Sequence, residues 1–568
     1  MMWVLLLLLM STSQAFFYAV APSIRQVQKH QRYFHHSRTH CKATRSSRLT
    51  AVDTSTSLLT TSRSGDDAQA RNTAIILLSS SRLRLRDNEA LTKAAKLGSD
   101  GLSICLAWPY LAATHQPRTP AEAFGYTAVR RLNDELAKLG QQLWLLPSLD
   151  EFSQVVQELY PSHVIVDTCL LDRNHKRASA LSNNLQATNV RKVVNDGTLV
   201  AFEDITKILG RSRQGGRVLR WSTFLGNAMK EELDMEQHLH PIPTLPPPLH
   251  DDMNKITATV SIPSTDTFPS WARQLLKDWG DVSEEEALIR AKSSGSDTSA
   301  FSSSLTEKGS RSTKLSPYLR WGIISPQRAA GAGVRLRDLL WRDWSHVSYA
   351  LLGPLQRGDA VMDFMDNSCK YDIRIPNVSG TDLFNLWCVG NTGSKLVDAA
   401  MRQLWKEGWM SRRLRLLTAA CLVEGLGLDW RLGRDWFEHT LIDHDPAINE
   451  AMWQNAGLTG VDPFYAGILW EQSPSGQEEI EYVERWSKEA LIWPSTLKPY
   501  SSMEPPLQMQ IFDDARARRS MLRERGIYRA ARTVSNAGVR VAWEGLHSST
   551  KAGEVIGSGL IPVGELKI

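Results

Sequence analysis

The chain has 568 residues, 42% of them hydrophobic and 22% charged, with a formal charge of +5 at pH 7. That length is enough for two or three separate cores, and six scattered cysteines without CxxC or Cys/His spacing argue against a zinc site or a disulfide framework. Residues 1–52 hold seven Lys and Arg and no acid; taking those seven from the 66 leaves 59 basic against 61 acidic residues. Net charge therefore gives no support to a nucleic-acid partner.

MMWVLLLLLM opens the chain as an apolar run too short to span a bilayer, and Ser13-Gln14-Ala15 supplies small residues for cleavage. Behind it the chain is rich in Ser, Thr, Arg and His, and the first acid is Asp53. A signal peptide followed by a transit-type segment resembles the two-part presequence of algae with secondary plastids, which implies delivery to the plastid; secretion is the alternative. Residues 1–72 are read as this presequence, and no transmembrane segment is expected in the mature chain.

From 73 to 210, TAIILLSSS, LSICLAWP, QLWLLP and SHVIVD read as buried strands, separated by helical patterns such as TPAEAFGYTAVRRLNDELAKLG. That alternation predicts a parallel α/β sheet with crossover helices. Neither GxGxxG nor GxxxxGK[ST] occurs, so no Rossmann or P-loop site is signalled. HPIPTLPPPLH, 240–250, is a polyproline-type stretch within a linker spanning 211–265. Residues 266–500 turn helical and Trp-rich, with SSGSDTSAFSSSL as a loop, and 501–568 form an extension whose DDARARRSMLRERGIYRAARTV reads as one Arg-dense helix.

Chemistry concentrates in the helical part. In LIDHDPAINEAMWQNAG, 441–457, Asp445 before Pro446 predicts a helix start. Asp445, Asn449 and Trp453 then share one helix face, as a binding surface or as a solvated stripe of a capped helix. STKLSPYLRWGIISP, 312–326, carries hydroxyls and a Lys into a helix, an arrangement that holds phosphate or merely caps. DLLWRDWSHV places Trp341 and Trp344 around Arg342. Arg415 sits on an otherwise apolar helix and needs a carboxylate, for which Asp443 and Asp445 are the candidates.

LSPYLRWGIISP, LVDAAMRQL, GWMSRRLR and DWRLG…LIDHD, in that order and spacing, resemble the flavin domain of the photolyase/cryptochrome family, and LSSSRLRLRDNEALTKA resembles its opening strand and helix. The resemblance runs over roughly residues 73–490. It implies an N-terminal parallel α/β sheet domain, a long linker and a C-terminal helical FAD-binding domain. Ser312, Thr313, Lys314, Leu315 and Ser316 would then form the phosphate-binding run. Arg415 and Asp443 would be the ion pair beside the isoalloxazine, with Asp445 near its edge and His444 among the cofactor-binding residues. Asn449 would face flavin N5 and, unable to hold a proton as Asp can, would favour an unprotonated N5 after one-electron reduction. Asp338, Trp341, Arg342 and Arg412 complete the pocket. Trp453 and Trp430 match the first two members of the family's electron-transfer chain; at the third, surface position stands Asn377, with Trp387 as the nearest substitute and Trp436 behind it.

Departures from the family decide the expected activity. Asp338, Arg412, Leu416 and Asn455 occupy positions where repair enzymes contact a flipped-out pyrimidine dimer, and Ser411 and Arg415 replace the paired His of (6-4) repair. The resemblance with these departures implies a blue-light photoreceptor of the cryptochrome type; the alternative is a light-dependent photolyase for cyclobutane pyrimidine dimers. FAD is the implied cofactor. A second antenna chromophore of folate or deazaflavin type is unassigned, because DRNHKRAS carries Lys176 where the folate-binding acid is expected. A signalling partner on the C-terminal extension and DNA are the implied macromolecular partners.

Overall fold

A computed structural model describes residues 72–108, 116–168, 189–194, 197–200, 208–211, 217–230, 239–249, 262–293, 313–362, 378–462, 470–502 and 506–541. The four predicted strands are present as β1 (Thr73–Leu78), β2 (Gly101–Ala107), β3 (Leu143–Leu146) and β4 (His163–Thr168). All six residues of β1 are buried, the signature of a parallel strand covered on both faces. A fifth strand, β5 (Asn189–Val194), pairs parallel with β4 and gives the order β3-β2-β1-β4-β5. Sequence reading passed over β5 because NVRKVV mixes charge with its valines.

Strand order reverses between β1 and β4, the place where open α/β sheets commonly bind ligands. Here Arg82 and Asp167 meet at that point at 3.1 Å, 2% and 0% exposed, and Ser79 N–H donates to Asp167 at 3.2 Å. The sheet is instead joined to the helical part around Trp321, which stacks on Trp108 at 5.2 Å and accepts from Leu83 N–H through its carbonyl. Arg84 donates to Gly322 O at 2.8 Å and Ser325 to Asp87 at 2.8 Å across the same seam.

The polyproline stretch lies against the sheet domain. Leu102 N–H donates to Pro247 O at 2.8 Å, Leu249 N–H to Leu102 O, and Asp87 N–H to His240 O. Among the described residues of 313–500 there are no strands, as the sequence predicted.

The Arg-dense segment departs from the expectation of one helix. It forms two, Pro506–Glu524 and Ile527–Ala537, separated at Gly526, whose φ of 73° ends the first. Both are docked. Ile511 and Ala515 are buried in the same cluster as Trp470. Arg518 bonds Asp514 at 2.7 Å and Gly425 O at 2.5 Å, and Arg519 bonds Glu471 at 3.0 Å. Strand β8 (Val539–Val541) then pairs antiparallel with β7 (Arg217–Leu219), itself paired to β6 (Gly210–Arg211). This piece of the extension is part of the folded body, because its apolar stripe and two of its arginines are used internally.

Candidate functional site

The helix Pro446–Ala456 starts where the sequence places it. Asp445 is its N-cap, accepting from Ala447 and Ile448 N–H, and Pro446 is its first residue. Four residues per step along this helix bring Asp445, Asn449 and Trp453 onto the wall of one cavity of about 460 Å³. Facing them are the helices Leu336–Leu351 and Arg412–Ala420 and the segment before Ser316–Arg320. The binding-surface reading therefore prevails over the solvated stripe: Asp445, Asn449 and Trp453 are 4%, 8% and 3% exposed.

Thr313, Lys314, Leu315, Ser316, Asp338, Trp341, Arg342, Arg412, Arg415, Asp443, His444, Asp445, Asn449 and Trp453 all line this cavity. Ser312, Asn377 and Lys176 lie outside the described residues. Trp430 and Trp387 stand behind the wall, both buried. Trp387 corrects an expectation. It was the substitute for a surface electron-transfer residue, yet it is 0% exposed, with its ring 6.2 Å from that of Trp453. It therefore neighbours the first donor and cannot itself be a surface terminus.

Arg415 chooses Asp443: its Nη2 lies 2.7 Å from Oδ2, while its Nε donates to Met410 O. Ser316 Oγ donates to the same carboxylate oxygen at 2.5 Å. The other oxygen, Asp443 Oδ1, is buried with no protein partner, as are Trp341 Nε1 and Ser411 Oγ on the same cavity wall. Buried polar atoms are ordinarily paired; these three belong to residues of the cavity wall. That wall, with the Asp443 and Asp445 carboxylates, the Arg412 and Arg415 guanidiniums, the Asn449 amide and the indoles of Trp341 and Trp453, has the chemistry to take a polar aromatic ligand such as a flavin.

Asp445 takes a different partner, His346, at 3.0 Å. Burial pushes the His346 imidazole down to about 4, against the pull of Asp445. At neutral pH a neutral His346 thus donates to the Asp445 carboxylate. Burial opposes ionisation of Asp445 too, but the His346 hydrogen bond and the charges of Arg320 and Arg342 hold it below the usual carboxylate range. Sequence reading missed His346 and Arg320. His346 stands one helical turn after Arg342 on the same helix, the spacing that could have found it. Arg320 donates to His444 O at 2.7 Å.

Several predicted contacts are already engaged. Lys314, in the left-handed region at φ 47°, pairs with Glu407 at 3.3 Å and lies over the rings of Trp279 and Trp409. Arg342 donates to Gly197 O at 2.5 Å and Leu319 O at 3.4 Å, which makes it a brace for the wall. Asp338, at the rim, is bridged by Arg335 at 2.9 Å. Asn449 Nδ2 donates to Arg434 O at 3.0 Å, which fixes the amide's orientation. Asn455 is turned from the wall: it accepts from Asp462 N–H at 3.1 Å. At the mouth, the Arg412 guanidinium lies 5.2 Å over the Trp341 ring, and Trp221 meets that ring edge-on at 4.3 Å.

The sequence matches the family model of the FAD binding domain of DNA photolyase over residues 335–510 and that of DNA photolyase over 75–243. The chain belongs to the photolyase/cryptochrome family. Among photolyase/cryptochrome proteins, a deoxyribodipyrimidine photo-lyase of Vibrio cholerae is 33% identical over 196 residues, 31% of this chain and 40% of that protein. A cryptochrome DASH of Danio rerio is 37% identical over 202 residues, 32% of this chain and 37% of that protein. The alignment thus spans about two fifths of the length of these curated relatives. A bacterial class III photolyase structure from Agrobacterium tumefaciens shares the fold with a TM-score of 0.63 at 21% identity, covering 84% of this chain and 100% of the other. Photolyases and cryptochromes both stand among the relatives, and the cavity lies between the sheet-side segment 313–316 and the matched FAD-binding domain.

Proposed function

We infer that the protein is a blue-light photoreceptor of the cryptochrome type that holds FAD in this cavity. Bound FAD supplies light absorption and one-electron chemistry. The chain's own residues do the rest. Arg415 and Asp443 set a balanced charge pair against the ring, so that neither a strong positive nor a strong negative field fixes its redox state. The neutral His346 and ionised Asp445 stiffen the start of the helix that carries Asn449 and Trp453. Asn449 presents an amide, which has no acidic proton to give to N5. Trp453, on the cavity wall, is the indole that would serve as the first electron donor.

The observation that carries the photoreceptor reading is Arg412 over Trp341. A flipped dimer needs an open aromatic face at the mouth, and base–aromatic stacking contributes roughly 1–3 kcal/mol per base. Here a guanidinium lies over the ring and Trp221 packs perpendicular to it. Leu416 adds an apolar wall at the same cavity, and Asn455 is committed to Asp462. The second reading is a photolyase for cyclobutane pyrimidine dimers; it is favoured by the Trp341 ring on the cavity wall and by the photo-lyase relative in Vibrio cholerae.

Plastid location, a second antenna chromophore and a signalling partner belong to the same proposal. No helix among the described residues is long and apolar enough to cross a membrane. The test is the absorption spectrum of the purified protein before and after blue light, with released chromophores identified by mass. A reversible flavin bleach with FAD released supports the reading. Protein that carries FAD but shows no light-driven change rejects it.

A further inference from the structure

Trp453 has two aromatic ways out of the cavity wall. The first is Trp430, 3% exposed and packed against Gly457 at the end of the Trp453 helix. Two guanidiniums lie over the Trp430 ring, Arg431 at 4.6 Å and Arg434 at 5.4 Å. A cation over a neutral indole is attractive. Once that indole loses an electron, the same contact becomes repulsive, and it is strong in a poorly solvated place. Asp429, Asp435 and Glu450 pair with these arginines and take up part of the field, but the ring faces carry the guanidiniums.

The second way is Trp387. Its ring lies 6.2 Å from that of Trp453, and its N–H donates to Thr418 O at 3.0 Å, a carbonyl dipole that favours positive charge on the indole. Phe384 stacks on Trp387 at 5.9 Å and meets Trp436 at 6.4 Å. Trp436 stacks on Trp405 at 5.9 Å, and Trp405 on Trp493 at 5.1 Å with planes 25° apart. Trp405 and Trp493 are only partly buried, so the series reaches solvent. A stacked indole pair shares positive charge over two rings, which makes it a favourable end point.

We propose that the electron refilling Trp453 comes from Trp387, and that the hole leaves through Trp436 to the Trp405–Trp493 pair, with Trp430 off the route. The proposal rests on the flavin reading above. Each transfer moves one electron and breaks no bond. With FAD bound and excited, Trp453 would give up one electron to it; Trp387 then refills Trp453, Trp436 refills Trp387 across Phe384, and the stacked pair refills Trp436. A thiol in solution returns the last electron at the surface, is itself oxidised and releases its proton to water.

The test uses the full-length, FAD-loaded protein and the variants Trp453→Phe, Trp430→Phe, Trp436→Phe and Trp405→Phe, each checked for flavin content and circular dichroism. Two readouts are taken: the yield of long-lived tryptophan radical after a laser flash, and light-induced oxidation of individual tryptophans mapped by peptide mass spectrometry. Trp436→Phe and Trp405→Phe should cut the radical yield by roughly tenfold or more, while Trp430→Phe leaves it near wild type. Oxidation should mark Trp405 and Trp493 in wild type and vanish from them in Trp436→Phe. The route is overturned if Trp430→Phe abolishes the radical while Trp436→Phe and Trp405→Phe match wild type; photoreduction dependent on Trp453 would then still uphold the flavin reading. FAD-loaded wild type that forms no tryptophan radical at all removes both.

Discussion

Replacing Arg415 by Ala isolates the contribution of one buried charge to cofactor retention. Asp443 is 3% exposed at its side chain and Arg415 26%, with Nη2 to Oδ2 at 2.7 Å. Without Arg415 the carboxylate keeps only the Ser316 hydroxyl as donor. In the empty cavity water can solvate it, so folding should suffer modestly. Filling the cavity with a flat ring excludes that water, and the unpaired carboxylate then costs about 3–5 kcal/mol. At 1.4 kcal/mol per factor of ten, FAD affinity should fall at least about 100-fold. Asp443→Asn should cost less, because the half-open Arg415 can turn toward solvent. The assay is flavin bound per protein after gel filtration, a flavin titration for affinity, and thermal melts of the apo forms. Full flavin content in Arg415→Ala, with affinity near wild type, would refute the reasoning.

Gly433 packs against Trp453, and a Cβ there would come 2.0 Å from its ring; Gly433→Ala should therefore displace the indole and cost about 1–3 kcal/mol, read as a lower melting temperature with slowed photoreduction. Arg412→Ala should uncover Trp341 and raise affinity for single-stranded DNA containing a thymine dimer, measured by fluorescence anisotropy; unchanged binding would argue that the mouth is not a lesion site in any form. Glu424, buried beside Tyr528 and Arg519, has its carboxyl pushed up to about 7 by burial. A raised carboxyl pKa means the folded state holds the proton that the unfolded chain releases, so stability is lost as pH rises from near 4.5 through 7. Glu424→Gln should thus gain melting temperature relative to wild type between pH 5 and pH 7.5, and a constant difference across that range would contradict it. A fluorescent fusion of residues 1–72 should enter the plastid; a secreted or cytosolic signal would reject the two-part presequence.

What could be read from the sequence was what is local or ordered by strong pattern. The Asp445-Pro446 helix start follows from two adjacent residues, and four of the five parallel strands are built on short, dominantly apolar stretches. Pairing across the fold was less legible. The residues alone left two aspartates open as partners for Arg415 and only the family resemblance named Asp443; the choice depends on the backbone path that turns Asp443 toward it and Asp445 toward His346. The burial of Trp387 depends on packing against Phe437 and Trp453, which no spacing in LFNLWCVG records. The break at Gly526 was visible as a glycine after an Arg-rich run, but the Arg content masked it as a continuous helix. The family resemblance put Asn455 at the cavity, whereas a bond to Asp462 N–H turns it away.

The division between light sensing and repair is tested most directly by turnover of a defined thymine dimer, in single- and double-stranded DNA, by the FAD-loaded protein under blue light with reductant. The occupied Trp341 face predicts photoreduction of the flavin without dimer cleavage on either substrate. Efficient light-dependent repair of either one would contradict the photoreceptor account and make the protein a photolyase.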